Sequence, residues 1–286
     1  MAGSPSARRA GSHGVAYSLI SCLDFDIVEF THHFAQSFLV STIVALERAK
    51  WVDKAAMIQF DQVSKRYNGF TALSNINLVI DDSEFVFLIG TSGAGKTTIL
   101  KLLIREEFPT FGKIILDDLD LVSLPEKALP QLRRKVATIF QDFKLLPQKT
   151  VFENVAFPME ILGISDQEIS RATKDMLDIV RLQDKANHFP DQISGGETQR
   201  AAIARAMIMR PDVLLADEPT GNLDPQSAWE VMQLLRRLNG LGTTVIMATH
   251  NQDISSSMPH RTIEISEGKV KKDSKTRHTE KKKEKS

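Results

Sequence analysis

The spacing of apolar positions along this chain changes character several times, and each change predicts an element. Ile76, Leu78 and Ile80 alternate with Asn75, Asn77 and Val79, which predicts a half-buried antiparallel strand. Ile58, Phe60 and Val63 open a strand-like stretch ahead of it, and Ile114, Ile115 and Leu116 form another strand before an Asp117-Asp118 turn. Four other runs are continuously apolar, at residues 85–89, 136–140, 213–216 and 244–248. Short continuous runs of this kind predict strands buried on both faces, as in a parallel sheet. Helical spacing fills the gaps: Ile99, Leu100, Leu102 and Leu103; a short helix closing over residues 132–135; an Ala- and Met-rich helix to Met209, ended by Pro211; and a helix over about 225–238, broken by Gly240 and Gly242. Residues 263–265 and 269–270 predict a final hairpin. From Asp142 to Gln192 the pattern is helical without strands. Ile161, Ile164, Ile169, Met176, Ile179 and Val180 read there as apolar helix faces, parted by Gly163 and Pro190. This block, about residues 142–193, interrupts the strand–helix alternation and reads as an inserted helical subdomain. The pattern as a whole predicts an α/β fold with an antiparallel β subdomain, organised over residues 57–270.

Chemistry enters where the strand at 85–89 meets the helix that follows. Between them stands Gly90-Thr91-Ser92-Gly93-Ala94-Gly95-Lys96-Thr97, which is Gly-x4-Gly-Lys-Thr in strand–loop–helix context, the pattern of a P-loop NTPase. Gly90, Gly93 and Gly95 let backbone N–H groups approach phosphate oxygens without a Cβ in the way. Those groups and the helix N-terminus attract anions. Lys96 would reach the β- and γ-phosphates, and the Thr97 hydroxyl would bind Mg²⁺. Four apolar runs end in polar residues: Gly90, Gln141, Asp217 and His250. Ligands of open parallel sheets bind outside the carboxyl ends of the strands, so these four are expected to converge. Asp217 would hold Mg²⁺ through its water shell. Glu218 would act as general base toward an attacking water, His250 would contact the γ-phosphate or orient that water, and Gln141 would sense nucleotide and metal. Ser194-Gly195-Gly196 precedes a helix, with Ser194 as N-cap and glycine N–H groups open to a phosphate. A chain with one complete phosphate loop does not need a second anion site for the same nucleotide, so this one is expected to serve another molecule's. Tyr67, between the first two strands, is read either as a platform for an adenine ring or as a packed tyrosine.

In this order the motifs resemble the ATPase domain of ABC transporters, and the resemblance spans the organised chain. It implies that Ser194, Gly195, Gly196 and Glu197 form the ABC signature and that Gly221-Asn222-Leu223-Asp224 is the D-loop. It implies further that Tyr67 holds the adenine-stacking position and that residues from Gly90 to Thr98 bind ATP. The family's usual signature has Gln where Glu197 stands, a departure that touches the γ-phosphate contact. Also implied are ATP and Mg²⁺ as cofactors and a head-to-tail homodimer with two ATPs buried between the copies. Within the family, residues 91–98, Leu100-Lys101-Leu102-Leu103, Arg105-Glu106-Glu107, Leu132-Arg133-Arg134, residues 214–224 and Met247-Ala248-Thr249-His250 resemble the bacterial cell-division (FtsE) group. That group implies an FtsX-like integral membrane subunit, a peripheral place on the cytoplasmic face of the cell membrane, and an output in control of cell-wall hydrolases. The stretch Asp-Glu-Pro-Thr-Gly-Asn-Leu-Asp is shared with lipoprotein-releasing and macrolide-export ATPases, which is the alternative. Soluble ABC factors commonly fuse two cores, and this chain carries one.

Composition narrows the partners. Of 286 residues, 42% are apolar and 25% charged, ordinary for a globular protein. The 36 basic and 36 acidic residues cancel, so no global basic field points to nucleic acid. Cys22 is a single cysteine and cannot form an intrachain disulfide. No stretch approaches the roughly 18 apolar residues of a membrane span. The longest candidate, residues 38–46, contains Ser41 and Thr42, so membrane work is expected to run through a partner. Residues 1–56 stand apart. Residues 1–17 are acid-free and rich in Ser, Gly, Ala and Arg, and are expected to be disordered; residues 35–48 suggest a helix. The readings open for this segment are an organelle transit peptide carrying Arg8 and Arg9, an unrelated extension, or a start set too early with Met57 as initiator, and mass spectrometry of the mature N-terminus separates them. Residues 269–286 carry nine Lys/Arg against three Asp/Glu. The tail, 271–286, is expected to be a solvated end or a contact for anionic lipid.

Overall fold

The computed structural model describes residues 58–275. The expectations for 1–57 and for the tail from 276 onward lie outside the described residues. The fold is built from two sheets. The first holds β1 (Ile58–Tyr67), β2 (Phe70–Ile80), β4 (Phe111–Leu116) and β5 (Leu119–Asp120), all antiparallel, in the order β2-β1-β4-β5. The second has the order β10-β9-β3-β8-β7-β6, with β3 (Phe85–Ile89), β6 (Val136–Ile139), β7 (Val213–Asp217), β8 (Thr244–Thr249) and β9 (Arg261–Ser266) parallel and β10 (Lys269–Asp273) antiparallel at the edge. The expected tail therefore starts later than its charge suggested, because Lys271, Lys272 and Asp273 complete β10.

The periodicities explain this division. Along β2, Ile76, Leu78 and Ile80 are buried and Asn75, Asn77 and Val79 exposed, as one-sided packing requires. Along β1 the buried positions are Ile58, Phe60 and Val63, and the spacing slips from two to three. The slip is a β-bulge: the register against β2 shifts between Phe60 and Val63, and Gln62 lies in the left-handed region at φ 51°. Across from it, Gly112 has φ 89°, and a Cβ there would sit 2.5 Å from the Asp61 carbonyl oxygen, so the bulge demands glycine opposite. In the second sheet the central strands β3, β7 and β8 are buried nearly throughout, which is why they read as continuous apolar runs.

Among the described residues, seven α-helices accompany the sheets: α1 (Lys96–Leu103), α2 (Leu129–Lys135), α3 (Val151–Ile161), α4 (Asp166–Ile179), α5 (Gly195–Met207), α6 (Pro225–Gly240) and α7 (Gln252–Ser257). Helices α3 and α4 fall between β6 and β7, within the block that lacked strand signals, and pack on each other and on α5. Ile169, Met176, Ile179 and Val180 are buried as expected, and Ile164 is half-buried. Ile161 departs from its reading: it is 68% exposed at the end of α3, where the chain turns at Gly163 before a new helical face begins. Among the described residues no helix is long and apolar enough to cross a membrane.

Arg261 ties the sheets together. Its guanidinium donates to Asp273 (2.9 and 2.6 Å), Glu84 (2.9 Å) and the Val79 carbonyl (2.8 Å), linking β9 to β10 and to the β2–β3 corner. Burial raises the cost of the Asp273 charge, but hydrogen bonds from Arg261 outweigh it and hold this carboxyl below its ordinary range. A depressed carboxylate contributes stability above its unfolded pKa and loses it as pH falls through the folded one. Arg261→Met should therefore cost on the order of 2–3 kcal/mol at neutral pH, since removing one partner strands a largely buried charge. The gap from wild type should narrow below about pH 4, where carboxylates take up protons. Urea midpoints at pH 7 and in acid test this, and a gap that does not shrink in acid would refute the ion-pair account.

Candidate functional site

Three parallel pairings bring the expected residues to one edge of the second sheet. Ile89 aligns with Thr249, Ile139 with Ala216, and Asp217 with Ala248. The residues just beyond these strand ends, Gly90, Gln141, Glu218 and His250, therefore emerge side by side, with Asp217 as the last residue of β7.

The loop at 90–95 is shaped by close approach. A Cβ on Gly90 would lie 2.2 Å from the Ile265 carbonyl oxygen, and one on Gly95, at φ 108°, would meet Leu73 and the Ala72 carbonyl at 2.7 and 2.8 Å. Gly93 has φ 76° in open space, so its need is conformational. Ala94 is buried and its N–H donates to the Thr91 carbonyl (3.2 Å). Thr91 and Ser92 are exposed at the loop tip. Helix α1 begins at Lys96 with no side-chain cap and no acidic residue in its first turn. Its leading N–H groups thus face outward without a local acceptor, which is the physical requirement for an anion cradle. Lys96 is buried, and its ammonium donates to the Gly90 and Thr91 carbonyls (2.8 and 3.0 Å), held above the loop. Thr98 follows, partly buried on α1.

Thr97 and Asp217 come together in one place, close enough for the Thr97 hydroxyl to favour the Asp217 charge. Burial pushes the Asp217 carboxyl above its usual range, with the Glu218 charge adding to the push and Thr97 and Lys96 opposing it. Both groups line a cleft of about 110 Å³ that also touches Lys101 and Phe140. Hydroxyl, carboxylate and the Gln141 amide are hard oxygen donors of the kind Mg²⁺ takes. Among the described residues no group of three His, Cys, Asp or Glu could hold a metal. Such a donor set suits an ion bound mainly through substrate phosphates.

Glu218 sits at φ 48°, left-handed for a residue with a Cβ, with its N–H bonded to the Ala248 carbonyl (2.9 Å) and its carbonyl accepting from Gly221 N–H (3.1 Å). This turn aims the carboxylate toward β8, where His250 Nδ1 lies 2.9 Å from Glu218 Oε1. Gly221, at the same turn, approaches both: a Cβ there would be 3.6 Å from Gln141 Nε2 and from Glu218 Oε2. Gln141, Glu218, His250 and the start of the D-loop stretch are thus one cluster.

The Ser194 stretch is built differently. Ser194 caps α5, accepting from Glu197 N–H (3.3 Å), while Glu197 Oε2 accepts from the Ser194 N–H and hydroxyl, both at 2.8 Å. This reciprocal capping box explains an acid at Glu197. Those hydrogen bonds hold the Glu197 carboxyl below its ordinary range, helped by Lys185. Gly196 lies against α6, where a Cβ would be 2.7 Å from Ser227 Oγ, and Gly195 stays exposed. Asp224 caps α6 through Gln226 and Ser227 N–H (3.0 Å each), so signature and D-loop stand at two adjoining helix starts.

A single model for the family described as ABC transporter matches residues 73–221. The chain belongs to the ABC transporter family. As a member it is an ABC-type ATPase. It is 50% identical over 218 residues to the cell division ATP-binding protein FtsE of Bacillus subtilis, covering 76% of this chain and 96% of that protein. To the Escherichia coli K12 protein of the same name it is 46% identical over 213 residues, covering 74% and 96%. Its fold is similar to a dimeric ATP-binding cassette in a post-hydrolysis state bound to ADP and Pi, with TM-score 0.69, 35% identity, and 76% and 97% of the chains covered. It is also similar to cbiO1 of Clostridium perfringens, part of the ABC transporter complex cbiONQ, with TM-score 0.73, 28% identity, and 81% and 93% covered.

Two residues that the motif reading passed over support the cluster. Arg205 on α5 donates to the Lys144 and Phe143 carbonyls (2.8 and 3.1 Å), gripping two consecutive left-handed residues just after Gln141. Asn154 on α3 is fully buried and bonds Leu146, Lys149 and Thr150 backbone groups between 2.7 and 3.0 Å. The capping pair Thr150 and Glu153 stands just ahead of Asn154 and is the available signal for a helix start there. The 2.9 Å contact between His250 and Glu218 predicts that His250→Ala lowers kcat by about 10²-fold or more, the range of a positioned acid–base pair. ATP affinity should stay nearly unchanged. Steady-state kinetics beside equilibrium nucleotide binding checks this, and an affinity loss as large as the rate loss would assign His250 to holding nucleotide instead.

Proposed function

We propose that this ATPase is the nucleotide-driven subunit of an FtsE–FtsX-type complex, peripheral to the cytoplasmic face of the membrane. It works as a head-to-tail homodimer with an ATP in each of two shared sites. The observation that carries the dimer is the division of labour between two helix starts. Helix α1 presents uncapped N–H donors and Lys96, while the exposed Ser194-Gly195 start of α5 belongs to a separate element that a second copy can bring to the same phosphates. The similar solved cassette is dimeric and bound to ADP and Pi, which supports the same reading.

In each site Gly90 to Thr98 would cradle the phosphates, Lys96 would pair the β- and γ-phosphates, and Tyr67 would carry the adenine ring. Mg²⁺ would neutralise phosphate charge, held by Thr97, Asp217 and Gln141. Glu218 would accept the proton of the attacking water, with His250 fixing its carboxylate. Ser194, Gly195, Gly196 and Glu197 of the other copy, with Asp224 beside them, would close over the γ-phosphate. The cell-division role rests on the two FtsE relatives and on the Arg105-Glu106-Glu107 and Ser-Gly-Gly-Glu segments. The helices between Gln141 and Gln192, the inserted subdomain, would pass dimer closure to the membrane subunit.

Glu218→Gln removes the base while leaving the nucleotide contacts, so it should trap a dimer in saturating Mg-ATP and return to monomer on ATP removal. Light scattering with size exclusion reads this directly, and a variant that stays monomeric in Mg-ATP would end the shared-site reading. Affinity capture from detergent-solubilised native membranes separates the outputs: an FtsX-like subunit supports cell division, and a large permease would move the protein to export.

A further inference from the structure

Tyr67 is the last residue of β1 and half-buried. A half-buried ion pair stands beside its ring. The Lys65 ammonium lies 4.7 Å from the ring centroid. Lys65 first, and the Tyr67 phenol to a lesser degree, hold the Glu107 carboxyl below its ordinary range. Lys65, only 11% exposed at its side chain, closes the triangle with 2.6 Å to Glu107 Oε2 and 2.8 Å to the Phe108 carbonyl. Glu107 is not a distant partner: its N–H and that of Glu106 donate to the Lys101 carbonyl (3.3 and 3.0 Å), so it sits just past the end of α1, tied back to that helix's last turn. That helix begins at Lys96 in the phosphate loop.

We infer that Lys65 and Glu107 are positioning residues for base recognition, a clamp that fixes the Tyr67 ring and sets its distance from the phosphate loop. A nucleotide must reach both the ring and the loop at once. The ring belongs to the antiparallel sheet and the loop to the parallel one, so their spacing needs a rigid link. The clamp supplies it from the far end of the same helix whose start holds the phosphates. It also covers part of the ring with an ammonium, whose attraction to the aromatic face resists rotation. The chain selects the adenosine triphosphate class by span as well as by stacking.

This inference rests on Tyr67 being the adenine platform, and the test separates the two claims. Binding of a non-hydrolysable ATP analogue, adenylyl imidodiphosphate, and of inorganic tripolyphosphate, both with Mg²⁺, is measured by calorimetry on the full chain after thermal melts confirm folding. Lys65→Met and Glu107→Gln should each weaken analogue binding about three- to tenfold, a part of what base stacking contributes. Tripolyphosphate, which has no base, should bind as before. Lys65→Arg should restore the analogue affinity, and neither lesion should add to Tyr67→Ala. Equal loss for tripolyphosphate would place the effect in the phosphate loop and overturn the clamp, as would losses that persist undiminished beside Tyr67→Ala. If Tyr67→Ala weakens analogue binding while both clamp variants bind normally, the platform stands and the clamp falls. If Tyr67→Ala binds normally, the platform reading fails and the clamp with it.

Discussion

The start of α1 has backbone donors and no acceptor of its own. Buried or half-buried N–H groups without partners are costly, and native helices resolve them with caps. Here α3, α4, α5, α6 and α7 do so with Thr150, Ser165, Ser194, Asp224 and Asn251. Helices α1 and α2 do not; α2 runs on directly from a 3-10 turn at Glu126–Ala128, whereas α1 is preceded by a glycine loop that cannot supply a cap. The sheet around it is arranged to hold that unsatisfied state: β3 is locked between β8 and β9, and the Ile265 and Ala72 carbonyls press on Gly90 and Gly95 so closely that the loop has no alternative path. Lys96 meanwhile satisfies itself on two loop carbonyls, a position from which phosphate oxygens can recruit it. An anion completes this helix, and the other site residues are placed by the same sheet edge.

Against that, the start of α5 is already satisfied. Glu197 accepts from both Ser194 groups that a phosphate would want. A phosphate arriving at Ser194 must compete with an anchored carboxylate and approach its charge, which Lys185 offsets in part at 3.8 Å. The two helix starts therefore have opposite characters, one poised for an anion without help and one needing a tightly presented anion to open it. In the proposed shared-site dimer, such an asymmetry would make nucleotide binding to one copy easy and closure by the second copy conditional.

Much of this was legible because periodicity and punctuation report on burial and backbone geometry. The continuous runs at β3, β7 and β8 announced two-sided burial, and their polar endings announced a shared edge. What stayed hidden depends on contacts between segments far apart in sequence. The bulge at Gln62 is stabilised by Asn77 fifteen residues on, at 3.0 Å. The left-handed turn that aims Glu218 is set by Ala248 on the next strand. Arg205 and Asn154 looked like ordinary helix residues until the loop they grip was in view. Ile161 was misread for a related reason: its spacing fits a helical face, but the helix ends there and no partner covers that face among the described residues. Glu197, where the family's usual signature has Gln, makes the reciprocal capping box that either residue can form at that position.

The same long-range grips bear on how the site can drive motion. Between Gln141, at the nucleotide edge, and Thr150, where α3 begins, the chain has no regular structure. A loose linker would absorb any displacement of Gln141. This one is held at two points: Arg205 fixes Phe143 and Lys144 to α5, and Asn154 fixes Leu146 and Lys149 to α3. The first anchor lies on the helix that starts at Ser194. The second lies on the helix that ends at exposed Ile161 and Leu162. In the proposed mechanism, displacement at Gln141 would pass into α3 and α5 with little slack, and closure at Ser194 would return along α5 to the same linker. Amide and guanidinium hydrogen bonds suit this task better than apolar contacts, because their directionality resists sliding. The polar residues that motif reading overlooked are thus the ones that make the two halves of the site mechanically one.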